Sequence, residues 1–193
     1  MLGVLSKHIT QWLVEKKVIA ETDWEVYEYG VFQLVMNLVD TLTILALAIY
    51  FHEIWATVCF AASFAALRKY AGGYHAHTVL ACYLFTTTVT LLTILTIKYT
   101  TIPLAVMLGV WAVVGLTIVL LAPVENRNKP LDEVEYIVYR KRALLVWLGE
   151  CVLLVVLEIS GFRKCFEGVL AGQCCVALAM CLEMIHGKSK KGD

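Results

Sequence analysis

"IPLAVMLGVWAVVGLTIVLLA", residues 102–122, runs without one charged side chain. Wound as an α-helix at about 1.5 Å per residue, it reaches about 30 Å, the thickness of a bilayer's hydrocarbon core. Such a stretch reads as a transmembrane helix, and much of the chain is built the same way. Of its 193 residues, 60% are hydrophobic and 17% charged, with a mean hydropathy of +0.76. A soluble domain of this length carries about 45–50% apolar and about 25% charged residues. The excess lies in long runs, so the sequence predicts an all-α, polytopic membrane bundle. Net charge is zero, which points to no nucleic-acid partner. Residues 1–30 mix acids and bases and lack a small-residue cleavage pattern, so no signal peptide is expected there.

Five further runs complete a set of six expected crossings: about Val31–Phe51, Ile54–Tyr70, Thr78–Ile97, Ala143–Ser160 and Phe166–Ile185. The run from Ile54 loses its apolar character after Leu67, just before Arg68, so it is expected to tilt, thin the bilayer locally or stop part-way. Ahead of the bundle, Ile9, Trp12, Leu13, Ile19 and Ala20 lie close to one stripe, predicting an amphipathic surface helix within residues 1–30. Between the fourth and fifth crossings, Pro123 stops one helix and Pro130 shapes a turn. The spacing of Val134, Ile137 and Val138 predicts a short amphipathic helix over about residues 131–142. No repeat or linker divides the chain, so residues 1–193 read as one membrane-embedded domain, ending in a basic tail over residues 186–193. Six crossings put thirteen Lys and Arg residues on one side and three on the other. By the positive-inside rule both termini, and the turn after Arg68, face the cytoplasm.

That turn, "RKYAGGYHAHTVLACYLF" at residues 68–85, gathers reactive groups in an otherwise oily chain. Gly72 and Gly73 break the second crossing, and Thr78 is a natural N-cap for the third. Cys82 then sits one turn into a helix, near its positive end, where a thiolate is favoured. A neighbouring imidazole would take the thiol proton, and Cys–His pairs serve as acyl-transfer nucleophiles. On an unbroken helix His75 would lie about 10.5 Å along the axis from Cys82, whereas proton transfer needs roughly 3 Å. The segment from Gly72 to His77 must therefore fold back toward the start of the next helix. Spacing alone leaves His75 and His77 equally placed. The other six cysteines (Cys59, Cys151, Cys165, Cys174, Cys175 and Cys181) lie in or beside apolar runs, read as packing, and form no C-x-x-C pair.

The stretch "RKYAGGYHAHTVLAC" resembles the motif of the AgrB family, membrane cysteine endopeptidases of Gram-positive quorum sensing. The matching positions are Arg68, Gly72, Gly73, His75 and Cys82, and "APVENRNKPL" at residues 122–131 is similar to the family's segment after the fourth crossing. With length and helix count, the resemblance covers nearly the whole chain. It selects His75 over His77, which falls outside the matched positions. It implies a bacterial cell-membrane enzyme acting on a short AgrD-like precursor peptide with an acidic C-terminal tail. Cys82 would attack the carbonyl at the end of the cyclising segment, with His75 as base and then acid. A Cys or Ser of the peptide would next attack the resulting thioester, releasing a thiolactone or lactone. A homodimer is left open, and no cofactor or metal is expected.

Gln33, Asn37 and Asp40 share one helical face of the first crossing. Polar groups at that depth usually face a partner or cavity. They read either as interhelical hydrogen bonding or as a pocket lining, with Asp40 a guess for a carboxylate that orients His75. Glu150 and Glu158 in the fifth crossing read as structural pairing, Glu150 with a base such as Arg142. Arg127, Lys129, Arg140, Lys141 and Arg142 read as a topology signal contacting lipid headgroups, or as a cradle for the precursor's acidic tail. Two other function classes fit the composition. A small transporter or channel would use the Gln33–Asn37–Asp40 face as its path. A metal site would use His75, His77 and Cys82, three ligands without the fourth a structural zinc requires.

Overall fold

Glycine and proline punctuate this chain where its helices must stop. In the computed structural model, which describes residues 2–73, 78–125 and 131–189, seven helices account for most of those residues. They are α1 (Leu2–Glu15), α2 (Trp24–Phe51), α3 (Ile54–Ala71), α4 (Val79–Tyr99), α5 (Leu104–Leu121), α6 (Glu133–Ile159) and α7 (Arg163–Ser189). Pro103 stands at the N-cap of α5, Gly72 at the C-cap of α3, and Gly161 turns the chain from α6 into α7 at φ +75°. Among the described residues there is no strand; a lone parallel bridge joins Gly72 to Val124. The fold is thus the all-α bundle the composition predicts.

Packing separates two units, Met1–Leu47 and Ala48–Asp193. In the first, the expected single amphipathic helix is divided. α1 ends at Glu15, Lys17 takes a positive φ of 53°, and a 3-10 turn over Glu21–Asp23 leads into α2. α2 therefore starts seven residues ahead of the predicted Val31, because Trp24, Val26, Tyr27 and Tyr29 continue the helix beyond the strictly apolar run. Within it, the Gln33 amide donates to Asn37 Oδ1 at 3.1 Å.

The second unit is organised around α3 and α7. Gly168 and Gly172 on α7 let the two backbones approach, the small-xxx-small arrangement by which membrane helices pack. A Cβ at Gly172 would stand 2.9 Å from both the Phe60 carbonyl oxygen and Ser63 Cβ. One at Gly168 would drive into the Ala56 carbonyl and stand 3.3 Å from Cys59 Cβ. Gly168→Val is accordingly expected to destabilise the bundle by about 3 kcal/mol, the upper range for forced overpacking. The check is a fall in the thermal midpoint in detergent, where a change at open Gly149, which has nothing near its missing Cβ, leaves the midpoint unmoved.

Two apolar layers flank this seam. One joins Leu67, Ala71, Val114, Ile118, Ala122, Ala143, Val176, Ala177 and Met180; the other joins Met107, Leu154, Phe166, Val169 and Leu170. At the end of the second layer charges tie the loops together. Lys164 pairs with Glu53, and Arg163 reaches Glu158 at 3.4 Å and Glu167 at 3.3 Å.

Among the described residues, four helices are long and apolar enough to cross a membrane: Glu21–Phe51, Val79–Tyr99, Leu104–Leu121 and Arg163–Ile185. α3 and α6 occupy the two other predicted runs, α3 with Arg68 and Lys69 in its last turn and α6 with Glu150 and Glu158 within it. The predicted loop helix and fifth crossing are a single helix, α6. Asp132 caps it, its carboxylate accepting from the Glu135 amide, and the basic residues 140–142 interrupt apolarity without interrupting helicity.

Candidate active site

The end of α3 is shaped by its own arginine. Gly72 and Gly73 take φ values of +73° and +114°, which side-chain-bearing residues rarely adopt. The Arg68 guanidinium donates to the Gly72 carbonyl and, at 3.1 Å, to the Gly73 carbonyl. A planar fork reaching two consecutive carbonyls fixes the turn in a way one ammonium cannot. On the other flank the Val124 amide donates to the Ala71 carbonyl at 2.9 Å, so the segment after α5 holds the same turn. Beneath Gly73 lies the α7 backbone: a Cβ there would stand 2.9 Å from the Ala179 carbonyl carbon.

α4 restarts the helix at Val79, and Thr78 caps it as the sequence predicts, its hydroxyl accepting from the Ala81 amide at 3.2 Å. The Cys82 amide makes the first full helical bond, to the Thr78 carbonyl at 3.0 Å. That fixes the sulfur one turn into α4, half-buried. Among the described residues, the Cys82 thiol and the Glu183 carboxyl lie within electrostatic reach of the Arg68 guanidinium. The structure thus draws together Arg68, Gly72, Gly73 and Cys82, four of the five motif positions, and adds Glu183 from α7. Glu183 was missed in the sequence because it reads there as one acid near the end of an apolar run. His75, His77, Arg127 and Lys129 lie outside the described residues.

The basic run of α6 is tied to this end of the bundle. Arg140 donates to the carbonyls of Ala122 at 3.0 Å and Val119 at 3.3 Å, satisfying the last turn of α5. Arg142 stands over the Tyr70 ring at 5.8 Å, and Tyr70 meets Tyr139 edge-on at 6.0 Å. Lys141 is exposed. Glu150 takes partners other than the expected Arg142: the Ser63 hydroxyl and the Gln173 amide. Asp40, with Gln33 and Asn37, belongs to the first unit, whereas Arg68 and Cys82 belong to the second. Its Oδ1 is buried without a hydrogen-bond partner among the described residues.

Chemically, the arrangement offers a thiol at a capped helix start beside a guanidinium anchored to a glycine turn. A family model described as accessory gene regulator B matches residues 6–186, nearly the whole chain. No curated protein and no solved structure matches.

Proposed function

Because the chain belongs to the accessory gene regulator B family, and so to membrane proteins that process autoinducing peptides, we propose that it is a cysteine endopeptidase with Cys82 as nucleophile. Its substrate is an AgrD-like precursor whose C-terminal tail is removed while the segment before it is closed into a ring. The observation that carries this reading is the broken helix. α3 ends at Ala71, two glycines held by Arg68 turn the chain, and α4 begins at Val79 with Cys82 in its first turn.

The chemistry proceeds in two acyl transfers. The Cys82 thiolate attacks the carbonyl carbon before the tail, His75 having accepted the thiol proton. The carbon–nitrogen bond breaks, His75 returns the proton to the leaving amine, and a thioester joins the peptide to Cys82. A thiol or hydroxyl within the bound peptide then attacks that thioester, its proton passing to the Cys82 sulfur, and the cyclic product leaves. Between the steps the thioester has to be kept from water for ring closure to outrun hydrolysis. The thirteen-to-three distribution of Lys and Arg supports a cytoplasmic placement of this turn and of both termini.

The test is reconstitution in liposomes with a synthetic precursor, read by intact-mass spectrometry. The expected result is free tail together with an adduct on Cys82 equal in mass to the precursor less its tail. Thiol alkylation should abolish both and a chelator neither. Tail release that survives alkylation, with Cys82 never modified by peptide, overturns the proposal.

A further inference from the structure

Between the two apolar layers of the second unit lies one polar layer, made by a residue from each of three helices. Ser63 of α3, Glu150 of α6 and Gln173 of α7 are 5%, 7% and 0% exposed. The Ser63 hydroxyl and the Gln173 amide both donate to the same carboxyl oxygen, Glu150 Oε2, each at 3.0 Å. Ser63 Oγ also stands 3.2 Å from the Val169 carbonyl oxygen. Two oxygens are left over. Glu150 Oε1 and Gln173 Oε1 are both buried, and neither has a hydrogen-bond partner among the described residues.

Both leftover atoms are acceptors, so no rotation of either side chain pairs them while the carboxyl is ionised. One proton changes the count. Placed on Glu150 Oε1, it turns an unpaired acceptor into a donor whose natural partner is the Gln173 carbonyl oxygen. With the amide-to-Oε2 bond already in place, this closes the two-bond ring that a carboxylic acid makes with a primary amide. It also removes an uncompensated charge from an apolar interior, where charges are held only at high cost.

We infer that Glu150 carries a proton in the folded protein and forms with Gln173 a neutral acid–amide pair that, with Ser63, locks α3, α6 and α7 together. Among the described residues, the groups hydrogen-bonded to the carboxyl are Ser63 from α3 and Gln173 from α7, while the sequence of α5 contains no ionisable side chain. The titratable groups nearby are thiols. Cys151 adjoins Glu150 on α6, Cys174 and Cys175 follow Gln173 on α7, and Cys59 lies one turn from Ser63 on α3. Deprotonation would set the Glu150 anion against the Gln173 carbonyl oxygen and loosen the three-helix contact. Between about pH 4, where a glutamate in the unfolded chain releases its proton, and the pH at which the buried carboxyl releases its own, the folded state holds one proton more than the unfolded chain, so stability falls as pH rises through that window.

The experiment uses the full chain in lipid nanodiscs and makes no use of peptide cleavage, so its outcome is independent of the catalytic proposal. The infrared difference between wild type and Glu150→Gln at neutral pH should contain the carbonyl band of one protonated carboxylic acid. Glu150→Gln, whose amide reproduces the two-bond ring, should match the wild-type thermal midpoint at about pH 4, where the unfolded glutamate is also protonated, and exceed it by a margin that grows as pH rises through neutrality. Glu150→Leu, which strands Ser63 and Gln173, should lower the midpoint throughout. A buried water donating to both leftover oxygens is the rival arrangement; it keeps the carboxylate ionised and gives no acid band. Absence of that band, or a Glu150→Gln midpoint well below wild type at neutral pH, overturns the inference.

Discussion

Replacing Cys82 with alanine is expected to reduce precursor cleavage by on the order of 10⁴-fold or more, the scale on which loss of a covalent nucleophile falls. That corresponds to about 5.5 kcal/mol of transition-state stabilisation. The thermal midpoint should hardly move, because Cys82 is half-buried in the first turn of α4 and belongs to neither apolar layer. Cys82→Ser keeps the shape but replaces a thiol with a hydroxyl that ionises far less readily, so its loss should be nearly as deep. The contrast lies in the other six cysteines. Cys59 packs against the layer formed by Met107, Leu154 and Phe166, and Cys174 packs against both layers. Replacing these two with alanine should lower stability modestly while cleavage per folded molecule stays within a few-fold of wild type. Single-turnover assays on matched folded fractions make the comparison. If alanine at residue 82 left cleavage intact, no reading of the glycine turn as catalytic would survive.

How far the sequence reveals this molecule depends on which physical signal each feature leaves. Hydropathy located the helices that lipid must solvate, and α5 matches its predicted run to within two residues at either end. Capping chemistry is equally local, so Thr78 could be read from the sequence. Hydropathy marks the lipid boundary, however, and is blind to where a helix ends in water. That is why α2 begins earlier than predicted and why α6 continues through Arg140, Lys141 and Arg142. Pairings between distant residues leave no local trace. Ser63 and Gln173 lie 87 and 23 residues from Glu150, and nothing near Glu150 in the chain names them. The Gly168–Gly172 spacing was a legible signal, since two small residues four apart in an apolar helix predict close packing. The motif residues Arg68, Gly72, Gly73 and Cys82 could be identified from the chain, but their mechanical relation could not. Only the structure gives the guanidinium its two carbonyl acceptors and adds Glu183 to its surroundings.

That mechanical relation sets the second large effect. Gly73→Ala is expected to lower kcat for precursor cleavage by about 10²-fold, the loss that a misplacement of about 1 Å brings. Two costs act together. At φ +114° a Cβ is strained whatever the surroundings. It would also stand 2.9 Å from the Ala179 carbonyl carbon and 3.0 Å from its oxygen, backbone atoms of a helix that cannot yield, while pressing on the Arg68 guanidinium. The turn must shift, and with it the clamp that ends α3 ahead of the segment proposed to carry the catalytic base. The thermal midpoint should fall less steeply than cleavage, because Leu67, Val176 and Met180 are fully buried in a layer that the turn caps rather than builds. Arg68→Lys tests the same clamp from its other side. A lysine keeps the positive charge near Cys82 but presents no planar fork to two carbonyls. If charge alone mattered, Arg68→Lys would cleave like wild type; if the clamp matters, it should fall toward Gly73→Ala. The double variant should then be no worse than the poorer single one, since both remove the same constraint. Full additivity of the two losses would mean that the arginine and the glycine act through separate routes, and the clamp would not be the device that positions the site.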